Sequence, residues 1–298
     1  MKKIFVIGAP RSGTTYLARA LGLADDVAYF EESGAFAYYG ARRFVKEYYE
    51  VLGSLDAFAY SPAVSRILSF TDRLRGRDPL EYIVRKMLLN TKIKPYDLKP
   101  SKPLIEIQQC KLDSNDLQLE PELLKKYRKL AGEGVNLFYQ EFFSDFARMS
   151  EKNNFLEKTP GHVLFSPVLR SVFPDAKVVL IRRDKKDSVA SYIRNYAPRR
   201  VSITNRYMTD KMLIKKQCRA CLHYKRIEEW LEKQDWCRSI AYKEMIENPF
   251  EVTRYILDWV GLTINKDKYQ KHFKARVASS KWDRLNKEEK KLVERTLS

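Results

Sequence analysis

A short loop near the N-terminus has the spacing of a phosphate-binding cradle. Gly8 and Gly13 lie five residues apart, between an apolar run at residues 4–7 and a helical pattern at residues 14–23. Glycine lets the backbone approach an anion, and successive N–H groups attract it together with the positive end of the following helix. The loop therefore predicts a binding site for a phosphate-like group.

The residue after the second glycine distinguishes this loop from that of a nucleoside triphosphatase. Such an enzyme places Lys there, where the ammonium group reaches the β and γ phosphates. This chain has Thr14 instead and carries a cation, Arg11, inside the loop. A second apolar run ends at Ile181 and continues into Arg182 and Arg183, where a magnesium-dependent enzyme often has an Asp. These features favour a ligand that is bound without a metal ion.

The loop resembles a segment of the sulfotransferases that use 3′-phosphoadenosine 5′-phosphosulfate (PAPS) as donor. In that family the segment binds the 5′-phosphosulfate group, and one branch has Arg where other members have Lys. The resemblance implies donor contacts from six consecutive residues: Pro10, Arg11, Ser12, Gly13, Thr14 and Thr15.

A second segment, residues 178–191, resembles the part of the same family that binds the 3′-phosphate. In that pattern an apolar strand leads into Arg-Asp, and a Ser follows eight residues after the Arg; Arg183 and Ser191 take these places. A guanidinium supplies paired donors to phosphate oxygens, and a hydroxyl near a helix start adds another. The family often has Pro where this chain has Lys185, a departure that can alter the turn but leaves both ligands in place.

Two further matches follow in the family order. Residues 157–160 are similar to an E-K-T-P stretch, and the resemblance implies that Lys158 lies near the transferring group. Residues 280–282 resemble a C-terminal loop that closes over the nucleotide in some members, including tyrosylprotein sulfotransferases. The resemblance therefore implies that Lys281 and Trp282 contact the nucleotide.

Sulfuryl transfer needs a base for the acceptor proton and positive charge at the leaving oxygen. Arg11 and Lys158 are the candidates for the leaving phosphate oxygen. The family places a catalytic Glu twenty-odd residues after the loop Arg, which favours Glu32 and then Glu31. The alternative interpretation of these two residues is a solvated pair that caps the next helix. His162 is a further candidate base, because histidine titrates near neutrality.

The order of apolar patterns predicts an α/β fold in three layers around a mainly parallel central sheet. Predicted strands lie at residues 4–7, 176–181 and 239–242. The last of them belongs to a segment, residues 242–249, that resembles a structural part of the family. A helix is expected to begin at Asn248-Pro249 and to end at Gly261.

The whole chain, residues 1–298, is expected to form one domain with a large helical insertion at about 34–150. That insertion has little strand signal, and acceptor specificity is expected to reside there. The charged tail from Lys281 onward is expected to be a solvated helix. Helical patterns in the insertion cover residues 42–52, 79–89, 121–130 and 137–149.

Composition indicates the kinds of partner that the chain attracts. The formal net charge of +18 favours anionic ligands, so anionic saccharides and tyrosine in acidic peptides are candidate acceptors, beside lipids, polyketides and small phenols. No nucleic acid partner is expected. The sequence leaves two rival functions, a P-loop kinase or NTPase and a polyanion-binding module, and leaves the oligomeric state open.

The four cysteines do not suggest a disulfide framework, and no apolar run is long enough for a membrane span. The sequence therefore predicts a soluble, cytoplasmic protein. Cys218-x-x-Cys221 before His223 is a weak metal motif, because there is no second pair. We interpret these thiols as packing residues, and no metal site is predicted.

Overall fold

The computed structural model describes residues 1–31, 33, 121–195, 210–273, 275 and 280–298. Two of the predicted helices, at residues 42–52 and 79–89, lie outside the described residues, as does Glu32.

The described residues form a five-stranded sheet with helices on both of its faces. The strands are β1 (Lys3–Ile7), β2 (Val27–Glu31), β3 (Asn154–Lys158), β4 (Lys177–Arg182) and β5 (Cys237–Ala241). The α-helices are α1 (Thr14–Leu21), α2 (Pro121–Glu133), α3 (Val135–Met149), α4 (Ser166–Val172), α5 (Lys185–Asn195), α6 (Asp210–Leu231), α7 (Tyr242–Glu247), α8 (Pro249–Val260), α9 (Lys266–His272) and α10 (Lys287–Leu297). Short 3₁₀ helices cover Pro160–Phe165 and Trp282–Arg284.

The strand order is β2-β3-β1-β4-β5, and all four pairings between the described strands are parallel. The α/β fold with a mainly parallel sheet is therefore confirmed. The central strand β1 is buried on both faces, because its side chains alternate between the two helical layers. Phe5 belongs to the core cluster that includes residues of α3, α4 and α6, whereas Val6 belongs to the cluster that includes residues of α1 and α8.

Two strands, β2 and β3, were not among the predicted ones. Each has only five residues, and each ends in charged side chains that the fold nevertheless buries: Glu31 in β2, and Glu157 and Lys158 in β3. The prediction of a strand at residues 239–242 was wrong about its last residue, because Tyr242 is the first residue of α7.

The helix predicted to start at Asn248-Pro249 is α8, with proline in its first turn and Gly261 in the left-handed conformation at its end (φ 71°). Asn248 lies at the N-cap position, but its side chain makes no capping hydrogen bond. The sequence thus predicted the bounds of this helix correctly.

The described end of the predicted insertion, residues 121–150, packs into the main core. Phe138, Phe142 and Phe143 of α3 are buried beside Phe5 and Phe30 of the sheet. Helices α2 and α3 therefore belong to the layer that covers one face of the sheet.

The prediction of a solvated C-terminal helix is wrong for one face of α10. Leu292 and Val293 are buried against α6, together with Cys218 and Cys221. Burial raises the pKa of the Cys218 thiol to about 11 and that of the Cys221 thiol to about 12, so both thiols stay protonated at neutral pH. In the described parts of the chain, no helix combines the length and the apolar character needed to cross a membrane.

Candidate functional site

The carboxyl ends of four parallel strands bring the candidate residues to one edge of the sheet. The phosphate loop follows β1, Glu31 ends β2, Lys158 ends β3, and Arg183 follows β4. Lys158 is aligned with Glu31 in one neighbouring strand and with Val6 in the other. Ligands of open parallel sheets bind at this edge. The fold thus explains why residues so far apart in sequence can form one site.

Two glycines shape the phosphate loop through close contacts. A Cβ atom on Gly8 would lie 2.5 Å from the carbonyl oxygen of Ile181, in β4. A Cβ atom on Gly13 would lie 2.5 Å from Cδ2 of Tyr242, and Gly13 has a φ of 106°. The loop therefore packs tightly against β4 and α7, and larger residues at either position would displace it.

Arg11 occupies a strained position in the loop. Its φ of 74° is in the left-handed region, which residues other than glycine adopt rarely and at a cost of about 1–2 kcal/mol. Its Nε donates a 3.4 Å hydrogen bond to Oγ of Ser191, a buried residue of α5. The loop and the second phosphate segment, which the sequence predicted separately, are thus in direct contact.

Arg183 is held from three directions. Its Nη1 donates to the carbonyl oxygen of Arg11 at 3.3 Å, and its Nη2 lies 3.7 Å from Oδ2 of Asp187. The guanidinium stacks over the Tyr242 ring at 4.5 Å from the centroid. Because Tyr242 also packs against Gly13, this ring joins the two phosphate segments.

The segment that begins at Tyr242 was predicted to be structural, so the place of Tyr242 in this cluster is a finding of the structure. The signal that could have revealed it is its position directly after a strand of the parallel sheet.

The start of α1 offers donors for an anion. Thr14 is the first residue of this helix and is buried. The Ser12 side chain is also buried, and its Oγ has no hydrogen-bond partner among the described residues. A buried hydroxyl without a partner is costly unless a ligand satisfies it. The loop therefore fits a phosphate or sulfate group.

The candidate base Glu31 is already engaged in an ion pair. It is buried, and Nη2 of Arg19 lies 3.2 Å from its Oε1. Lys158, in the neighbouring strand, is fully buried. The structure thus brings Glu31 close to Lys158, while Arg19 of α1 covers one side of the Glu31 carboxylate.

Glu157 is the centre of a buried hydrogen-bond network. Ser33 Oγ donates to it at 2.7 Å, Thr159 Oγ1 donates at 2.5 Å, and His162 Nδ1 lies 2.9 Å from its second oxygen. Burial alone would raise the pKa of Glu157, but the charge of His162 and these hydrogen bonds lower it below its ordinary value. Glu157 therefore stays ionised and ties Ser33, just beyond β2, to the loop that follows Lys158.

His162, the alternative candidate base, belongs to this network and is fully buried. A carboxylate on one ring nitrogen fixes the orientation and the tautomer of an imidazole. The contact with Glu157 thus holds the His162 ring in one orientation.

The C-terminal segment lies against α5, the helix that follows Arg183. Ser280 Oγ donates to Oδ1 of Asp187 at 3.2 Å, and Nζ of Lys186 lies 5.3 Å from the centroid of the Trp282 ring. Lys281 precedes the 3₁₀ helix that begins at Trp282. Lys281 and Trp282 are therefore close to the segment that carries Arg183.

A metal site in a protein needs several ligand side chains close together. Within the described ranges, no group of three or more His, Cys, Asp or Glu side chains is arranged to hold a metal ion.

The structure defines an α/β protein with a parallel sheet and a candidate phosphate site, formed by the loop, Arg11 and Arg183, at the carboxyl edge of that sheet. Comparison with protein families is more specific, because the model described as "Sulfotransferase family" matches residues 3–266. The chain belongs to the sulfotransferase family, and it is therefore a transferase.

Several solved structures are similar to this chain. Sulfotransferase STF9 from Mycobacterium avium is 14% identical, with a TM-score of 0.49, and the match covers 91% of this chain and 67% of that one. Sulfotransferase STF1 from Mycobacterium tuberculosis H37Rv is 15% identical, with a TM-score of 0.49 and coverage of 100% and 76%. The sulfotransferase domain from the curacin biosynthetic pathway is 13% identical, with a TM-score of 0.48 and coverage of 99% and 89%. A search of curated proteins finds no match.

Proposed function

We propose that the protein transfers a sulfuryl group from PAPS to a hydroxyl or amine acceptor without a metal ion. The observation that carries this proposal is the direct contact between the two phosphate segments. Arg11 of the loop donates to Ser191, and Arg183 donates to the carbonyl oxygen of Arg11. A nucleotide with anionic groups at both its 5′ and 3′ positions would engage both segments at once, and PAPS has this arrangement.

In the proposed donor complex, the 5′-phosphosulfate binds to the loop at the start of α1. Its ligands would be the residues from Pro10 to Thr15, with Ser12 Oγ as a buried donor that has no hydrogen-bond partner among the described residues. The 3′-phosphate would bind to Arg183 and Ser191. Lys281 and Trp282 would cover the nucleotide from the C-terminal segment.

The proposed reaction is an in-line displacement at sulfur. The acceptor oxygen or nitrogen attacks the sulfur atom, and the bond from sulfur to the 5′-phosphate oxygen breaks, which leaves its electron pair on that oxygen. Arg11 and Lys158 would stabilise this negative charge, because fixed cations act most strongly where charge develops in the transition state. The products are the sulfated acceptor and 3′-phosphoadenosine 5′-phosphate.

The base that takes the acceptor proton is proposed to be Glu32. Its neighbour Glu31 is a weaker candidate, because Arg19 already pairs with the Glu31 carboxylate at 3.2 Å. His162 is the second candidate, since Glu157 orients its ring. Replacing Glu32 and His162 separately, by Gln and by Asn, would identify the base as the variant that loses turnover but keeps donor affinity.

The acceptor is proposed to be anionic, such as a glycan or a tyrosine in an acidic peptide, because the formal charge of +18 attracts such ligands. A screen with labelled PAPS against matched anionic and neutral acceptors would test this. Label that passes only to neutral acceptors would contradict the charge argument while leaving the donor proposal intact.

Calorimetric titration without magnesium would test the donor proposal. We expect 3′-phosphoadenosine 5′-phosphate to bind more tightly than ATP or ADP, and Arg183→Ala to weaken it about 30- to 100-fold, because charge-assisted contacts to phosphate are lost. The matched control is Arg254→Ala, which removes an exposed arginine that pairs with Glu251 on α8. It should bind like the wild type.

Magnesium-ATP that binds as well as or better than the 3′-phosphorylated nucleotide would instead favour a kinase or NTPase. Strongly salt-dependent binding of polyanions that survives the loss of both Arg11 and Arg183 would favour a polyanion-binding module.

A further inference from the structure

Most of α6 carries positive charge that no acidic residue of the same stretch balances. After Asp210, the first residue of this helix, the next acidic residue is Glu228. Five exposed cations lie between them on one side of the helix, and together we call them the cationic face: Lys211, Lys215, Lys216, Arg219 and Arg226.

The cations of this face are also without anionic partners in the fold. None of the five side chains makes an ion pair or hydrogen bond with another residue in the part of the chain that the structure describes. By contrast, Lys126, Arg148 and Arg254 on α2, α3 and α8 each pair with a carboxylate. The positive charge of the cationic face is therefore not neutralised by neighbouring side chains.

The geometry of the helix places these charges side by side. An α-helix advances about 100° and 1.5 Å per residue, so the cationic face covers a sector of about 140° over a length of about 22 Å. The opposite side of α6 is fixed in the core, because Ile214, Cys218 and Tyr224 are buried. The cationic face thus points away from the protein as one continuous surface.

Two apolar side chains lie within the same sector. Met212 is 52% exposed, and Leu222 is partly exposed. A soluble polyanion offers little contact for such side chains, whereas a lipid surface combines anionic headgroups with an apolar layer just below them. This mixture favours a lipid surface over a soluble anionic polymer.

We propose that the cationic face docks the protein on a membrane surface that contains anionic lipids. Clusters of four to eight Lys and Arg residues on an amphipathic helix attract such headgroups, and each cation adds about a fivefold gain in affinity. The apolar side of α6 stays in the core, so the helix would lie flat against the headgroups. This docking goes beyond the proposed reaction and does not depend on it.

The experiment is co-sedimentation of the purified full chain with lipid vesicles. Phosphatidylcholine vesicles with about 30% phosphatidylserine are compared with vesicles of phosphatidylcholine alone, at about 0.1 M salt. We expect binding to the anionic vesicles only. The binding should be lost at about 1 M salt, because the screening length then falls to about 3 Å.

Matched double variants show whether α6 is the surface that binds. Lys215→Gln with Arg219→Gln should weaken binding to anionic vesicles about 20- to 30-fold, since two headgroup contacts are lost. The control is Lys243→Gln with Arg254→Gln, which removes one lysine and one arginine from α7 and α8, where each pairs with a carboxylate of its own helix. The control should bind within about threefold of the wild type. Lys215→Arg with Arg219→Lys keeps both charges and should bind like the wild type.

A third variant distinguishes lipid from a soluble polyanion, for which dextran sulfate is the probe. Met212→Ser should weaken binding to anionic vesicles about threefold or more, because an apolar contact with the lipid is lost. The same change should leave the affinity for dextran sulfate unchanged. Thermal unfolding of each variant confirms that it is folded, and all the substituted side chains are exposed.

The proposal is overturned if the wild type does not prefer anionic vesicles, or if the control double variant loses as much affinity as the α6 variant. It is also overturned if Met212→Ser affects vesicles and dextran sulfate equally. Binding of dextran sulfate through the cationic face without binding to anionic vesicles would identify a soluble anionic polymer as the partner instead. Nucleotide binding has no part in these measurements, so their outcome is separate from that of the proposed function.

Discussion

Replacing Gly13 by alanine tests the packing of the phosphate loop against α7. The new Cβ atom would lie 2.5 Å from Cδ2 and 2.7 Å from Cε2 of Tyr242, and 3.4 Å from Cδ1 of Ile181. The φ of 106° adds a conformational cost of about 1–2 kcal/mol for a residue with a side chain. Crowding against an aromatic ring adds about 1–3 kcal/mol. We therefore expect Gly13→Ala to lower the free energy of unfolding by about 2–5 kcal/mol.

Urea unfolding measures this loss, and two comparisons separate its causes. Gly161→Ala is the matched control, because a Cβ atom there meets no atom within 4 Å. It should change the free energy of unfolding by about 0.5 kcal/mol or less. In a Tyr242→Ala background the crowding disappears, so Gly13→Ala should then cost only the conformational part, about 1–2 kcal/mol.

The reasoning is refuted if Gly13→Ala costs no more than Gly161→Ala, or if its cost is the same with and without the Tyr242 ring. Because Arg183 stacks on the same ring, Gly13→Ala should also weaken binding of 3′-phosphoadenosine 5′-phosphate.

Three further predictions concern other parts of the structure. Arg11→Gly should leave the free energy of unfolding unchanged or raise it by up to about 1 kcal/mol, because glycine adopts the φ of 74° without strain. The same change should lower nucleotide affinity, measured by calorimetry, at least about tenfold. Glu157→Gln should destabilise the protein most at neutral pH. The folded protein lowers the pKa of Glu157, so the ionised carboxylate stabilises the fold at any pH above the pKa of an unfolded glutamate, about 4.3. This contribution is lost as the pH falls through the lowered pKa of the folded state. Denaturation at several pH values checks this, and a constant difference from the wild type would contradict it. Val293→Ala should cost about 1–3 kcal/mol in thermal unfolding, because the side chain is fully buried between α10 and α6; a change in melting temperature no larger than that of an exposed substitution would contradict this packing.

The parts of the fold that sequence could predict are those in which burial requires apolar residues. Strands β1 and β4 are buried on both faces, and their continuous apolar runs, such as Val178 to Ile181, predicted them. Helix α8 was predicted in its bounds because Pro249 and Gly261 are strong signals for helix ends.

The two strands that were not predicted, β2 and β3, end in buried charged residues. Glu31, Glu157 and Lys158 interrupt the apolar pattern of β2 and β3, yet all three are buried at the edge where the candidate site lies. Ion pairing with Arg19 and the hydrogen bonds to Glu157 offset the cost of that burial. These contacts join distant parts of the chain, so local pattern could not reveal them.

Individual residues of the candidate site could be proposed from the sequence, but their contacts with one another could not. Resemblance to the family singled out Arg11, Arg183 and Ser191, whereas their mutual contacts follow only from the order of the strands. Tyr242 was not predicted as a site residue, because it reaches the loop from an element distant in sequence.

The most direct test of the donor site compares two nucleotides that differ only in the 3′-phosphate. Calorimetry would measure the affinities of 3′-phosphoadenosine 5′-phosphate and adenosine 5′-phosphate for the wild type and for Arg183→Ala. We expect the wild type to prefer the 3′-phosphorylated nucleotide by at least about 30-fold, and this ratio to fall close to one in the variant, because Arg183 supplies the charged contacts. A ratio close to one in the wild type, or a ratio that Arg183→Ala leaves unchanged, would contradict the account.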